Sequence, residues 1–247
     1  MASKRRREEA EDEEPAAKKQ QTSTTLFKQK YGKDAIVFKS NKMDEAYRFL
    51  SNFAVVVPPL EYAGLTYATV EHAFQATKAH RMGLRGLGEQ IRAAETPAQA
   101  KQLGGRVGMR DYVLGLDWRA GGTAATELPD LAQLLRAATT KPARIAAANA
   151  WLAQRYRGVF ENAAAGYGSS KLLMHVLLDA KFRNPEMRRQ LLATGTRALG
   201  ELRGRGDTDW AISPDGEPGV LGDLLMAVRA DIVRGAAATA TAPLPSM

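Results

Sequence analysis

Three polar side chains near residue 75 have the types and the spacing that proton transfer and amine chemistry need. Glu71, Gln75 and Lys78 stand at positions i, i+4 and i+7, so in a helix they would share one face and could serve one substrate. A carboxylate can move protons, and a neutral lysine amine can attack an electrophilic carbon. Without further context, the same residues describe a solvated helix face whose ion pair contributes about 0.2–0.5 kcal/mol.

Other candidate residues also have an ordinary structural explanation. A compact turn precedes the Glu71 segment and offers Ser51, Asn52 and Phe53. Asn52 is typical of a turn, and a histidine such as His72 is more typical of a hydrogen-bonded structural position than of a catalyst. Two further candidates stand far along the chain, in RGRGDTDW: Asp207 and Trp210. Their ordinary explanations are an Asx turn and partial burial.

The composition excludes several kinds of chemistry. The 247-residue chain contains no cysteine, which excludes disulfides, thiolate nucleophiles and cysteine-based zinc sites. Its histidines, His72, His80 and His175, form neither HExxH nor a short HxH pair, which argues against a metal centre built on imidazole. Carboxylate-bound magnesium is an alternative without support in the sequence, and we expect no metal and no cofactor. No apolar run approaches the roughly 20 residues of a membrane helix. We therefore expect a soluble, intracellular protein that does not bind membranes.

The charge of the chain suggests an anionic ligand. Its formal net charge is +8, and the first 25 residues carry as many acids as bases, so the excess belongs to the remaining chain. A basic body suits nucleic acid, a nucleotide or a sugar phosphate. The tail carries KRRR at 4–7 and KK at 18–19, the layout of a bipartite import signal from Lys4 to Lys19 that would bring in a nuclear import carrier. A mixed-charge solubilising tail is the alternative.

The pattern of the chain predicts a single domain between two loose ends. Residues 1–25 and 236–247 lack a periodic apolar face, and we expect both to be disordered. The domain would span residues 26–235. Its Ala- and Gly-rich stretch at 107–165 is an insertion or an added helical hairpin, which either covers or extends the site or only decorates the surface. A strand is predicted at 35–40 and a hairpin at 60–68. The fold class is thus α+β, predominantly helical, with a small sheet near the N-terminus.

Sequence punctuation predicts where the helices begin and end. The predicted helix starts are Thr69, Thr96 in the capping box TPAQ, Lys141, Ser170 and Asn184–Pro185, with a last helix from Gly219. The helix from Thr96 should close at Gly104–Gly105, and the helix from Lys141 should end at Gly158.

Six motifs occur in the order found in one enzyme family. They are FLSNF, VEHAFQATK, TPAQAKQLG, DAKFRNPEMRRQLLAT, DTDW and LGDLLMAVR. In this respect the chain resembles the NADAR (YbiA-like) N-glycosidases over roughly residues 35 to 233, outside the insertion. That family has a small, largely helical α+β domain that hydrolyses N-glycosidic bonds to exocyclic amines. Its substrates are ADP-ribose on guanine in DNA or RNA, and phosphorylated ribosylamino-pyrimidine intermediates of riboflavin synthesis.

The resemblance implies roles for individual residues. Glu71 matches the family's EH glutamate and would be the acid and base, whereas Lys78 would be the imine-forming nucleophile. Lysine has an unperturbed pKa of about 10.4, so Lys78 must be desolvated or placed beside other cations. Asp207 would orient ribose hydroxyls or assist proton transfer, and Trp210 would stack on the base. The implied substrate-binding residues are Ser51, Asn52, Phe53, His72, Gln75 and Trp210.

Three positions depart from the family pattern. Ala211 stands where a glycine usually follows the tryptophan, Gly219 replaces a frequent asparagine, and Gly166 or Tyr167 replaces a tryptophan. These departures affect substrate contacts more than chemistry. Two other functions are open: a non-catalytic reader of ADP-ribose or modified nucleic acid, and an electrostatic nucleic-acid binder with steep salt dependence.

Overall fold

The computed structural model describes residues 16–39, 45–118, 122–161, 169–202 and 209–241, and helices dominate this part of the chain. The elements in chain order are α1 (Ala16–Tyr31), β1 (Ile36–Phe38), a 3-10 helix (Glu45–Leu50), β2 (Leu60–Tyr62), β3 (Leu65–Tyr67), α2 (Val70–Arg81), α3 (Arg85–Arg92), α4 (Pro97–Gly104), α5 (Arg106–Gly115), α6 (Thr123–Glu127), α7 (Pro129–Ala137), α8 (Lys141–Phe160), α9 (Ser170–Phe182), α10 (Pro185–Ala193), β4 (Leu199–Glu201) and α11 (Gly219–Thr241). The predicted mostly helical α+β class is confirmed.

The chain groups into two compact units, whereas we predicted one domain over residues 26–235. The first unit combines Met1–Ala54 with Pro185–Met247, and the second unit is Val55–Asn184. Each unit has its own small sheet and is described by itself.

The first unit contains a parallel pair of strands. β1 pairs with β4 in the register Ile36 with Leu199 and Phe38 with Glu201, so the strand predicted at 35–40 is present as 36–38. We did not predict β4. The fully buried Phe27 of α1 packs with Ala35, Ala198 and Ile212, and α11 packs against β4.

Both predicted loose ends need correction where the structure describes them. α1 begins at Ala16, inside the tail predicted to be disordered to residue 25, and α11 continues to Thr241, past the boundary at 236. Alanine, lysine and glutamine are good helix formers, and burial of Phe27 ties α1 to the core. Residues 1–15 and 242–247 lie outside the described residues, and with them most of the import-like pattern.

The second unit begins with the hairpin predicted at 60–68. β2 and β3 are antiparallel, with Leu60 opposite Tyr67. The turn residues Ala63 and Gly64 both have positive φ, at 52° and 76°, which is the conformation of a type I′ turn that matches strand twist. α9 packs against β2 and also against α2.

Helix α2 lies at the centre of the second unit, in contact with α3, α4 and α9. Residues 107–165, which we predicted to be an insertion, contribute α6, α7, α8 and most of α5, and both α5 and α7 pack on α8. Helix starts follow the predicted caps closely. Thr69 and Thr96 accept hydrogen bonds from the backbone N–H groups of His72 and Gln99, whereas α9 is capped by Ser169, one residue before the prediction. α8 runs to Phe160 and so ends two residues later than predicted.

Candidate functional site

Helix α2 presents the three opening candidates in a largely buried setting. Glu71 is 5% exposed and Gln75 is 7% exposed, because neighbouring helices cover most sides of α2. Lys78 is half-buried. The segment is therefore not a solvated helix face, and burial of three polar groups on one helix requires an account of their partners.

Glu71 and Gln75 form a buried hydrogen-bonded pair. The side-chain amide Nε2 of Gln75 donates to Glu71 Oε1 at 2.8 Å. The other end of this amide, Gln75 Oε1, is buried and accepts no hydrogen bond from the described residues. It lies against Gly104, where an added Cβ would be 2.4 Å from the same oxygen. Glycine at 104 is thus required by the close approach of Gln75, and the predicted α4 terminus also serves the site.

Lys78 has the electrostatics of an amine that can act as a nucleophile. The pKa of Lys78 is lowered from the ordinary value to about 8, because burial lowers it more than the Glu71 carboxylate raises it, and Lys101 also lowers it. Its Nζ lies 5.8 Å from the ring centroid of Phe74. A substantial fraction of Lys78 is therefore neutral near pH 8, which an exposed lysine is not.

A cavity of about 380 Å³ opens beside Lys78, within the range of roughly 300–1,000 Å³ that small-molecule sites occupy. Its lining residues come from three stretches of the second unit: Lys78, Met82, Gly104, Arg106, Met109, Asn149, Leu152, Ala153, Tyr156, Arg157 and Glu161. More than half of them lie within 107–165. Residues of the stretch predicted to be an insertion therefore form part of the wall beside Lys78.

His72 is used by the backbone around it. Its Nδ1 lies 2.8 Å from Thr69 Oγ1 and its Nε2 lies 3.0 Å from the carbonyl oxygen of Ala94. Because a carbonyl only accepts, Nε2 carries the proton and Nδ1 accepts from the threonine hydroxyl. Burial lowers the pKa of His72. Both ring nitrogens are thus engaged in holding the start of α2 to the segment after α3.

The turn residues predicted for substrate binding belong to the first unit. Ser51 Oγ accepts from the Phe53 backbone N–H at 3.0 Å, which fits the ordinary turn explanation. Asn52 is 8% exposed, and its Oδ1 is buried without a hydrogen-bond partner among the described residues. Such an orphaned acceptor is uncommon in a folded protein and is available to a ligand donor.

Trp210 is half-buried and lies at the start of the last described range, residues 209–241. Asp207 lies outside the described residues. The backbone carbonyls of Asp209 and Trp210 accept from the N–H groups of Val220 and Leu221 in α11. Gly219 has φ of +72°, and a Cβ there would lie 2.2 Å from the carbonyl oxygen of Ala211. This close approach accounts for glycine at the position where we noted a frequent asparagine.

Sequence reasoning missed a second unusual lysine. Lys181 of α9 is fully buried, and burial lowers its pKa to about 7. Its Nζ lies 5.2 Å from the ring centroid of Phe182. The signal was present in the sequence: Lys181 follows the buried Leu177 by four residues and so continues the apolar stripe of α9.

Among the described residues, no group of three or more metal-ligating side chains comes together, and no helix is long and apolar enough to cross a membrane. Comparison of the chain with protein-family models, curated proteins and solved structures gave no match. The NADAR assignment stays a prediction based on the motifs.

Proposed function

We propose that the protein is a NADAR-type N-glycosidase that releases ADP-ribose from guanine in DNA or RNA. The observation that carries this proposal is Lys78, a half-buried amine with a pKa of about 8 on the wall of a ligand-sized cavity. A cavity that holds a titratable group with a strongly perturbed pKa is the usual setting of catalysis. Glu71, two turns earlier on the same helix, supplies a carboxylate.

The proposed reaction uses Lys78 as a nucleophile. The glycosylamine substrate opens to an imine between the anomeric carbon and the exocyclic nitrogen of the base. The neutral amine of Lys78 adds to that carbon, a proton passes to the exocyclic nitrogen, and the bond from carbon to base breaks. Water then adds to the lysine imine, releasing the lysine amine and a sugar aldehyde that closes to its ring form.

Glu71 is proposed to move the protons in these steps. It would accept a proton as Lys78 adds and return one to the departing nitrogen. The hydrogen bond from Gln75 fixes the position of Glu71 Oε1, which keeps the carboxylate in one orientation. Asp207 and Trp210 keep the roles that the resemblance implies, namely hydroxyl orientation and stacking on the base.

Borohydride trapping tests the covalent step directly. Borohydride reduces an imine to a stable secondary amine, so incubation with ADP-ribosylated guanine oligonucleotide should attach ADP-ribose to the wild type. Lys78→Ala should lose the adduct, whereas Lys171→Ala, which removes an exposed lysine of α9, should keep it. The adduct is measured by intact mass spectrometry.

Turnover assays separate the alternatives. Release of ADP-ribose from the modified oligonucleotide is compared with release of ribose 5-phosphate from ribosylamino-pyrimidine phosphates. Turnover of only the second substrate would assign the protein to riboflavin intermediates. A wild type that binds ADP-ribose yet gives neither adduct nor released base would be a reader, and the enzymatic proposal would then be wrong.

A further inference from the structure

We propose that the inserted helix α8 supplies a phosphate-binding arginine, Arg157, which together with Arg106 holds the phosphorylated part of the released sugar in the cavity beside Lys78. This inference rests on the proposed function, because that function fixes a phosphorylated sugar as the ligand. It adds a binding role for the region that interrupts the family-like motifs.

Two elements bring the arginines to the same cavity. Arg106 is the first residue of α5, and Arg157 stands in the last turn of α8. The two helices pack against each other, and both arginines line the cavity that Lys78 also lines. The position of Arg157 depends on the insertion, since α8 lies wholly within residues 107–165.

The lining of the cavity is positively charged. Its charged residues are Lys78, Arg106, Arg157 and Glu161, so three cationic side chains stand against a single carboxylate in the lining. Arg106 and Arg157 form no salt bridge within the described ranges. An arginine presents donors that match phosphate geometry and binds phosphate oxygens through charge-assisted hydrogen bonds.

Arg155, on the same helix as Arg157, has structural contacts that Arg157 lacks within the part of the chain that the structure describes. Arg155 Nε donates to the carbonyl oxygen of Met82 at 3.1 Å, and its guanidinium lies 5.7 Å from the ring of Trp151. Arg155 is thus occupied in joining α8 to the end of α2. Arg157, two residues later and on a different side of the helix, has no such contact among the described residues and faces the cavity.

The rest of the lining fits the uncharged part of such a ligand. Met109, Leu152 and the half-buried Tyr156 provide apolar and aromatic surface, which suits a sugar face or a base. Asn149 Oδ1 is buried without a partner among the described residues, so a ligand hydroxyl or amino group could donate to it. Phosphate, sugar and base surfaces are thus all represented in one cavity.

The test measures binding of the products and so does not require turnover. Isothermal titration compares ADP-ribose, ribose 5-phosphate and adenosine on the wild type, Arg157→Gln, Arg106→Gln and the double variant. Arg136→Gln is the matched control, because Arg136 is an exposed arginine of α7 that does not line the cavity. Circular dichroism confirms that each variant is folded.

Each arginine variant should bind ADP-ribose roughly three- to tenfold more weakly, as expected for loss of a charge-assisted hydrogen bond at a solvent-accessible site. The double variant should lose more, whereas adenosine binding and the Arg136→Gln control should be unchanged. If affinity for ribose 5-phosphate falls equally, the two arginines bind a single phosphate group. If only affinity for ADP-ribose falls, they bind the diphosphate.

Three results would overturn the inference. The first is unchanged affinity for both phosphorylated products in the double variant, and the second is no binding of either product by the wild type. The third is weaker binding of unmodified oligonucleotide alone, which would place the arginines on the nucleic-acid backbone. Failure of the proposed function is a separate result, since it appears as absent turnover and absent borohydride adduct even where product binding depends on Arg157.

Discussion

Lys78 and Lys181 are two lysines of the same unit, and burial lowers the pKa of both. Burial lowers the pKa of Lys78 to about 8 and that of Lys181 to about 7, and each ammonium lies over an aromatic ring. They differ in access and in charged surroundings. Lys78 lines a cavity, and Glu71 and Lys101 also shift its pKa, whereas Lys181 is fully enclosed and burial lowers its pKa.

The difference separates two uses of the same chemical change. A lowered pKa makes an amine available as a nucleophile only where a substrate can reach it. In an enclosed lysine the lowered pKa reflects the free energy that burying the charged ammonium costs the folded state. The pair therefore predicts activity effects at Lys78 and stability effects at Lys181.

The largest expected effect is on the covalent step. Lys78→Ala should lower kcat/KM by roughly 10³-fold or more, as removal of a nucleophile does. Lys181→Met, which keeps the volume of the side chain, should stay within about threefold of the wild type. Both kcat/KM and the borohydride adduct are measured. The reverse outcome, loss of the adduct only in a folded Lys181→Met protein, would assign the chemistry to the enclosed lysine.

The pH profile should follow the cavity lysine. The reacting form of Lys78 is the neutral amine, so kcat/KM should rise about tenfold per pH unit up to the Lys78 pKa of about 8 and then level off. The measurement is initial rate under limiting substrate from pH 6 to pH 9.5. A rate that falls from pH 6 to pH 8 would show that the ammonium form is needed.

The stability of the protein should depend on pH through the enclosed lysine. The folded pKa of Lys181 is about 7, below its value in the unfolded chain, so above pH 7 the folded state holds fewer protons and stability rises with pH. Between pH 7 and pH 8 the wild type should gain up to about 1.4 kcal/mol relative to Lys181→Met. Urea unfolding of both proteins at the two pH values measures this difference. An equal change in the free energy of unfolding of both proteins between the two pH values would show that burying a charged Lys181 does not destabilise the folded state.

The smallest expected effect concerns the surroundings of Lys78. Because Lys101 lowers the pKa of Lys78, Lys101→Gln should raise it and slow the reaction at pH 7 by about twofold. Lys101 is exposed, so added salt should reduce the difference. Lys171→Gln, which replaces another exposed lysine, is the control and should leave the pH dependence of kcat/KM unchanged. A shift to lower pH in Lys101→Gln would contradict the assigned electrostatics.

The features that sequence predicted well are local ones. Thr69, the helix over Glu71 to Lys78 and the turn at Ala63–Gly64 each depend on residues a few positions apart, and the structure has all three. The spacing of Glu71, Gln75 and Lys78 predicted a shared face but not its burial. Burial depends on which other helices cover α2, and no local pattern contains that information.

The features that were missed depend on distant parts of the chain. β4 is only three residues long, and it is a strand because it pairs with β1, which lies far away in the sequence. Residues 107–165 were predicted to be an insertion from their composition, yet their place beside Lys78 follows from the packing of α5 on α8. The enclosure of Lys181 follows from the same kind of contact, since α9 lies against α2 and β2.

The backbone bonds from Val220 and Leu221 to Asp209 and Trp210 give the first unit a built-in reporter. The amide hydrogens of Val220 and Leu221 exchange with solvent only when those bonds open. The same opening frees the Trp210 segment from the start of α11. Exchange rates at two backbone positions therefore measure how often the tryptophan segment leaves its place, without any label on the tryptophan itself.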